Sequence, residues 1–289
     1  METIGTSKMW SFFDSHPNAK DATCTMVRKA DGHRVSSFLE LATKVAELQF
    51  RNRNHVLLFR GQDEDHRNKD GNTSLKPTLF RPKHGISTNP DQDTLVNRFM
   101  KLKAAETELA TLYTEASFLG HVRLQRYQIL RWSILQHYDV CRTPLLDLTH
   151  SLRIAASFAS LKSNQDAFVF VLGLPNLSGA ITASAEAGLQ VVRLASACPP
   201  SAVRPHIQEG YLLGEYPEMA GYDQKVHYKH YEIDFGRRLV AKFRFDPNKF
   251  WKRDTFPRVS KNALYPTANE DPLYKLALEV KQSLENLDS

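Results

Sequence analysis

The chain has 289 residues, 42% apolar and 24% charged, a composition that excludes a disordered or coiled-coil protein. No apolar run approaches the ~18 residues of a membrane span, so no membrane association is expected. Three scattered cysteines (Cys24, Cys141, Cys198) exclude a disulfide scaffold, and Met1–Lys20 lacks a secretory pattern, so a reducing cytoplasm is expected.

Lys and Arg number 38 against 32 acids, a net charge of +6. Between 225 and 258 stand ten basic residues (Lys225, Lys229, Arg237, Arg238, Lys242, Arg244, Lys249, Lys252, Arg253, Arg258) and four acidic ones, so ten minus four accounts for the whole surplus. Such a stripe suits either a phosphate-binding face or a solvated strand and helix face.

Residues 1–35 are polar with little periodicity, and are expected to be a loose lead-in to a single domain over 36–289. Phe38, Leu39, Leu41, Ala42, Val45 and Leu48 follow at helical spacing. The run His55-Val-Leu-Leu-Phe59 predicts a buried strand that delivers Arg60 and Gly61 at its end. Loops over 62–72 and 82–90 separate it from a long helix opening near Asp93, with Leu95, Phe99, Leu102, Leu109, Leu112 and Tyr113 on one face. Further helices are expected over about 123–138 and 151–161, the latter capped by Thr149 or Ser151.

After Asn164 the period changes to that of strands, over 167–172, 189–194, 207–213 and 239–245. The last alternates Leu239, Ala241, Phe243 and Phe245 with Val240, Lys242 and Arg244, the pattern of a half-buried strand. Asp271 and Pro272 then open a C-terminal helix carrying Leu273, Leu276, Ala277, Val280 and Leu284. Helices first and antiparallel-looking strands later give an α+β fold. The lack of strand–helix alternation argues against a doubly wound sheet.

The common signatures of chemistry are missing: no dinucleotide glycine fingerprint, phosphate loop, zinc-protease helix, serine elbow or EF-hand loop. His206, His227 and His230 lack a carboxylate or cysteine to complete a ligand set, so no metal is expected. Cys141 lies near His137 and Asp147 in sequence, but triads are assembled by the fold, and a buried structural cysteine is expected.

Three groups of residues carry a resemblance instead. Phe59-Arg60-Gly61-Gln62 is followed by Leu75-Lys-Pro-Thr-Leu-Phe-Arg81. Next come Leu135-Gln136-His137-Tyr138, Pro144-Leu-Leu-Asp-Leu-Thr149 and Ile154-Ala-Ala-Ser-Phe-Ala159, and then Arg204-Pro-His-Ile-Gln208-Glu-Gly210-Tyr211. In this order they resemble the FRG domain family, over roughly 36–289, and Ala263-Leu-Tyr-Pro266 is similar to the element before that family's last helix. The stretch from Tyr138 to Pro144 is longer than the family's, and Leu148 stands where Trp is usual, so the loop carrying Arg142 is expected to differ.

The order is also similar to the ADP-ribosyltransferase pattern: an arginine strand, a Ser/Thr-bearing strand before a helix, then a Gln/Glu strand. That resemblance implies a split antiparallel β-sheet core with N-terminal helices and a C-terminal helix. It implies NAD as cofactor and transfer of ADP-ribose to a protein or nucleic-acid acceptor, and the FRG resemblance, by the company such domains keep, implies a role in toxin or phage-defence systems. Residue by residue, Arg60 takes the arginine role, Asp147 and Thr149 the middle element, and Gln208 or Glu209 the last. Gly61, Gln136, His137 and Tyr211 are carried over as cofactor-binding.

The residue types suit that chemistry. Breaking a nicotinamide–ribose bond builds positive charge on the sugar, which a nearby acceptor group stabilises. Arg60 would hold the diphosphate through a two-pronged contact that lysine cannot copy, and Thr149 would orient the ribose. A glutamine in the last position can hold a ribose but is a poor base. The same residues have structural uses. Arg60 and Asp147 suit a buried ion pair, Gln136 and His137 suit a helix end, and Phe59, Tyr211, Ala155, Ala156, Phe158 and Ala159 suit a core. Two other functions stay open: an NAD glycohydrolase, and a non-catalytic nucleic-acid-binding module along 225–258.

Overall fold

The computed structural model describes residues 1, 3–5, 8–82, 89–163, 165–226, 233–252 and 256–287. The chain opens with β1 (Met9–Phe13), β2 (His16–Ala22), α1 (Cys24–Lys29), β3 (His33–Arg34), α2 (Phe38–Arg51) and β4 (Val56–Gln62). A helical stretch follows: α3 (Gln92–Glu115), α4 (His121–Arg126) and α5 (Gln128–His137). Then come β5 (Leu146–Thr149), α6 (Leu152–Ala159), β6 (Ala167–Leu174), β7 (Ile181–Ser184), β8 (Leu189–Arg193), α7 (Leu194–Ala197), α8 (Val203–Ile207) and β9 (Gly210–Glu215). The last part holds α9 (Tyr222–Lys225), β10 (Leu239–Phe245), α10 (Pro247–Phe250), α11 (Lys261–Leu264) and α12 (Pro272–Leu287).

Eight strands form one sheet in the order β3-β10-β6-β4-β5-β9-β8-β7, antiparallel except for the β10–β3 edge. This is the expected mixed α+β class. Strand β4 pairs with β6 along its whole length, from Val56↔Leu174 to Gln62↔Phe168. On its other side it meets β5 only at Phe59↔Thr149. Strand β5 in turn pairs with β9 from Leu146↔Leu213 to Thr149↔Gly210. Two four-stranded halves are thus joined at one residue pair.

Helix α6 lies against β4 so closely that a Cβ on Gly61 would stand 1.8 Å from the Ala155 carbonyl oxygen. Only glycine permits that approach. Helix α3 buries Leu95, Phe99, Leu102, Leu109 and Tyr113, and its buried Glu106 accepts hydrogen bonds from Trp132 and Gln128 and pairs with Arg131. Asp271 accepts from the Leu273 and Tyr274 amides and so caps α12 as expected. No described helix is long and apolar enough to cross a membrane.

Four expectations need correction. The first 35 residues are not a loose lead-in: β1 and β2 form a hairpin that buries Met9, Phe12, Ala19 and Ala22, and Asn52 clamps the Trp10 main chain. The helix expected over 123–138 breaks at Tyr127, whose φ of −112° and ψ of 108° are extended. Residues 207–209 are not strand: α8 ends at Ile207, Gln208 is its C-cap, and Glu209 turns the chain at φ 45° into β9. Strand β10 is not half-buried, because only Arg244 escapes full burial and Lys242 is 1% exposed.

Candidate functional site

A cavity of about 360 Å³ opens where the two half-sheets meet. That volume lies in the lower part of the range for small-molecule sites. Arg60, Gly61 and Gln62 reach it from β4, and Asp147, Leu148 and Thr149 from β5. Gln136 and His137 come from the last turn of α5, and Gln208 from the turn between α8 and β9. Seven of the nine residues carried over by the resemblance therefore line one cavity, although 148 positions (208 minus 60) separate the ends.

Asp147 is the hub. Its Oδ2 accepts from Gln136 Nε2 at 2.8 Å, its Oδ1 faces His137 Nδ1 at 3.4 Å, and its main-chain oxygen accepts from Arg60 Nη1 at 2.7 Å. Gln136 is itself fixed, its Oε1 accepting from Thr78 at 3.1 Å and Thr143 at 2.6 Å. Burial works against the Asp147 charge, but His137, Arg60 and Gln136 outweigh it and hold the carboxyl below its ordinary range. Burial also lowers His137, with Asp147 opposing. Carboxylate beside neutral imidazole is the resting state of the pair at neutral pH.

Arg60 does not form the buried ion pair with the Asp147 carboxylate, since it takes the carbonyl instead. Burial lowers its basicity, and Asp147 partly restores it. Beside it, burial and then the Arg60 charge bring Arg81 down to about 10. Two guanidinium groups held this close suit a doubly charged anion. Thr149 Oγ1 donates to the Gln208 carbonyl at 2.7 Å and accepts from the Ser151 amide at 3.0 Å, so it positions Gln208 rather than a ligand. Ser151, not Thr149, caps α6.

Polar atoms left over in the interior point to the same place. Among the described residues, eight buried side-chain N or O atoms have no hydrogen-bond partner. Four of them, Arg60 Nε, Gln62 Oε1, His137 Nε2 and Arg204 Nε, belong to residues that line this cavity. Each such atom costs about 1–3 kcal/mol, and half of the eight belong to residues of this one cavity.

Two carried-over residues fall outside. Glu209 is exposed, because the left-handed turn that sends Gln208 inward sends the next side chain outward. Tyr211 pairs with Leu148 in the sheet and packs beside His150, away from the cavity lining. Gly61 serves the β4–α6 contact first. Arg81, Arg204, Phe158 and Tyr265 also line the site, and sequence reasoning gave them no role there. Arg204 is fixed by Asp139 at 3.3 Å and by the rings of Tyr138 and Tyr265. All four lie within the quoted motifs, which was the available signal.

Among the described residues the basic stripe is no continuous face. Lys242 donates to Asp65 and Thr73, Arg238 to the Gly173 carbonyl, Arg244 to Asp14, and Lys225 pairs with Glu215. Lys229, Arg253, His227 and His230 lie outside the described residues. Cys141 stands clear of the cavity, and burial pushes its thiol up to about 12, which suits no nucleophile.

Residues 55–167 match the FRG domain family, in line with the resemblance of the motifs they carry. The matched span carries Arg60, Gly61, Gln136, His137, Asp147 and Thr149, whereas Gln208 and Arg204 lie beyond it. No curated protein and no solved structure matches the chain significantly.

Proposed function

We propose that this FRG-domain chain breaks the nicotinamide–ribose bond of NAD and transfers the ADP-ribose to an acceptor. One observation carries the reading. Arg60, Asp147 with Thr149, and Gln208 stand on or beside the adjacent strands β4, β5 and β9, around a cavity where the sheet narrows to a single pair. That order supports an ADP-ribosyltransferase-like split core.

The chain's own groups suit each demand of the reaction. As the C1′–N bond breaks, nicotinamide leaves neutral with the electron pair and positive charge spreads over the ribose. The ionised Asp147, held by Gln136 and His137, lowers the energy of that charge without reorganising. Arg60 and Arg81 offer paired positive charge to the diphosphate, and the unpartnered Arg60 Nε has a donor to spare. Gln208 commits an amide hydrogen to the Leu264 carbonyl at 2.7 Å and accepts from a ribose hydroxyl through Oε1.

The test is nicotinamide release from NAD labelled in its adenylate half, with the label followed onto protein and nucleic-acid acceptors. Release by the wild-type chain is expected, with Asp147→Asn slower by about 100-fold or more. A folded chain that releases no nicotinamide above the blank, whatever acceptor is added, overturns the proposal.

A further inference from the structure

The motif Leu75–Arg81 gathers three arginines from distant parts of the chain around its 3-10 turn, Thr78–Phe80. Arg81 Nε donates to the Lys76 carbonyl at 2.7 Å. Arg142, from the loop between α5 and β5, donates through Nη1 to the Thr78 carbonyl at 2.9 Å. Arg98, from α3, donates through Nη1 to the carbonyls of Leu79 at 2.5 Å and Arg81 at 2.8 Å. Lys76 to Arg81 would span at most about 18 Å fully extended, and the turn shortens it further. The turn is itself fastened beside Arg142. The Leu79 amide donates to the Thr143 carbonyl at 3.1 Å, and the Thr143 amide to Thr78 Oγ1 at 3.1 Å.

None of the three arginines pairs with a carboxylate among the described residues. Each spends one nitrogen on main-chain oxygen. The other nitrogens of Arg81 and Arg98 make no hydrogen bond, and unlike Arg60 Nε they are not sealed from solvent. Arg142 is exposed. Burial lowers the basicity of Arg81 and Arg98, and the Arg142 charge adds to the effect in both, with Asp147 opposing it at Arg81 and Asp91 at Arg98. Arg81 also lines the cavity beside Arg60, whereas Arg142 and Arg98 stand outside the lining. A run of cationic groups therefore leads from the cavity to the surface, with Arg81 shared between the two.

We infer that the ligand of this site carries at least three phosphates, two against Arg60 and Arg81 in the cavity and a third outside it, at Arg142 and Arg98. This rests on the reading that the cavity takes a diphosphate. A diphosphate alone occupies the inner pair and leaves the outer guanidinium groups repelling each other without a counter-charge. Phosphate suits them better than carboxylate, because one group offers three acceptor oxygens to forks that arrive from different elements. The third phosphate belongs either to a linear chain or to a branch on the ribose of the dinucleotide.

Isothermal titration calorimetry at about 0.15 M salt compares pyrophosphate with tripolyphosphate, and NAD with its 2′-phosphorylated form, on the wild-type chain and on Arg142→Gln. Wild type should bind at least one of the two more highly phosphorylated probes about 10-fold or more tightly than its partner, and Arg142→Gln should lose that gain while the diphosphates bind within about 2-fold of wild type. A gain for tripolyphosphate alone supports a linear chain, and a gain for the phosphorylated dinucleotide supports the ribose branch. Arg142→Lys, which keeps the charge without the fork, should retain part of the gain, and serves if Arg142→Gln does not fold. No gain in wild type, or an equal gain in the variants, overturns the third site and leaves the diphosphate reading standing. Oligoglutamate bound as tightly as tripolyphosphate also overturns it, since a diffuse positive field would then suffice. A folded wild-type chain that binds neither pyrophosphate nor NAD overturns both.

Discussion

Substituting Gly61 by alanine tests how tightly the site is tied to the packing beneath it. The added Cβ would lie 1.8 Å from the Ala155 carbonyl oxygen and 2.8 Å from the Ala159 amide nitrogen, both main-chain atoms that no rotamer change can move. Real contacts of this kind keep at least about 3.0 Å, so β4 and α6 must separate by roughly 1.2 Å (3.0 minus 1.8). Overpacking of that kind costs about 1–3 kcal/mol, and the rigidity of both neighbours argues for about 3. At about 2–4 °C per kcal/mol for a chain of this size, the melting temperature should fall by roughly 6–12 °C. Thermal unfolding followed by circular dichroism measures it. A fall of about 1 °C or less would show that α6 is free to move away, and the argument for an obligatory glycine would fail.

Arg60→Lys keeps the charge but loses the planar fork. Millimolar NAD or ADP-ribose should raise the wild-type melting temperature and leave that of the variant unmoved, with the two apo values within about 2 °C of each other. An equal ligand shift in both would remove Arg60 from the site. Lys242→Met leaves Asp65 with only Arg67 and the Thr73 hydroxyl, so urea denaturation should show a loss of about 3 kcal/mol, the low end for a broken buried pair. A loss below about 0.5 kcal/mol would return Lys242 to the solvated stripe. Asp147 is held below its ordinary pKa in the folded chain, so its stabilisation is full above about pH 4 and is lost as pH falls through the folded value. The stability gap between wild type and Asp147→Asn, measured by denaturant titration, should therefore be widest near pH 7 and shrink towards pH 3. A gap that widens on acidification would refute the assignment.

What the sequence revealed depended on whether period or punctuation marked the feature. Strands β4 and β6 and helix α3 are long, apolar and regular, and each was legible within a few residues. The turn at Gln208 and Glu209 was not, because a non-glycine residue adopts the left-handed conformation there and nothing in the chain announces it. The error had a functional side. On a continuous strand Gln208 and Glu209 would face opposite sides of the sheet, whereas the turn buries Gln208 and exposes Glu209. The break at Tyr127 has neither Pro nor Gly, so helical spacing runs straight through it. The hairpin of β1 and β2 hides behind polar residues such as Asn18, Lys20 and Asp21, because β2 buries only Ala19 and Ala22. Arg204 was visible in a motif, but its place between Asp139 and two tyrosine rings is made by contacts across 61 to 66 residues.

Arg60 shows most directly where stability and function part. A chain selected for stability alone would pair this guanidinium with the Asp147 carboxylate, the nearest anion, and leave nothing over. Instead the arginine takes the Asp147 carbonyl, and the carboxylate is spent on Gln136 and His137. Arg60 Nε and His137 Nε2 are then left without partners at one cavity, a donor and a potential acceptor bound to the same hub. Each leftover group is a cost in the folded chain that a hydrogen-bonding partner would recover. The single-pair junction between β4 and β5 makes the arrangement possible. A fully paired ladder would keep the two strands in continuous register, whereas pairing at Phe59↔Thr149 alone lets their ends diverge into the cavity wall. The weakest seam of the sheet is therefore where the chain concentrates its unspent polar groups.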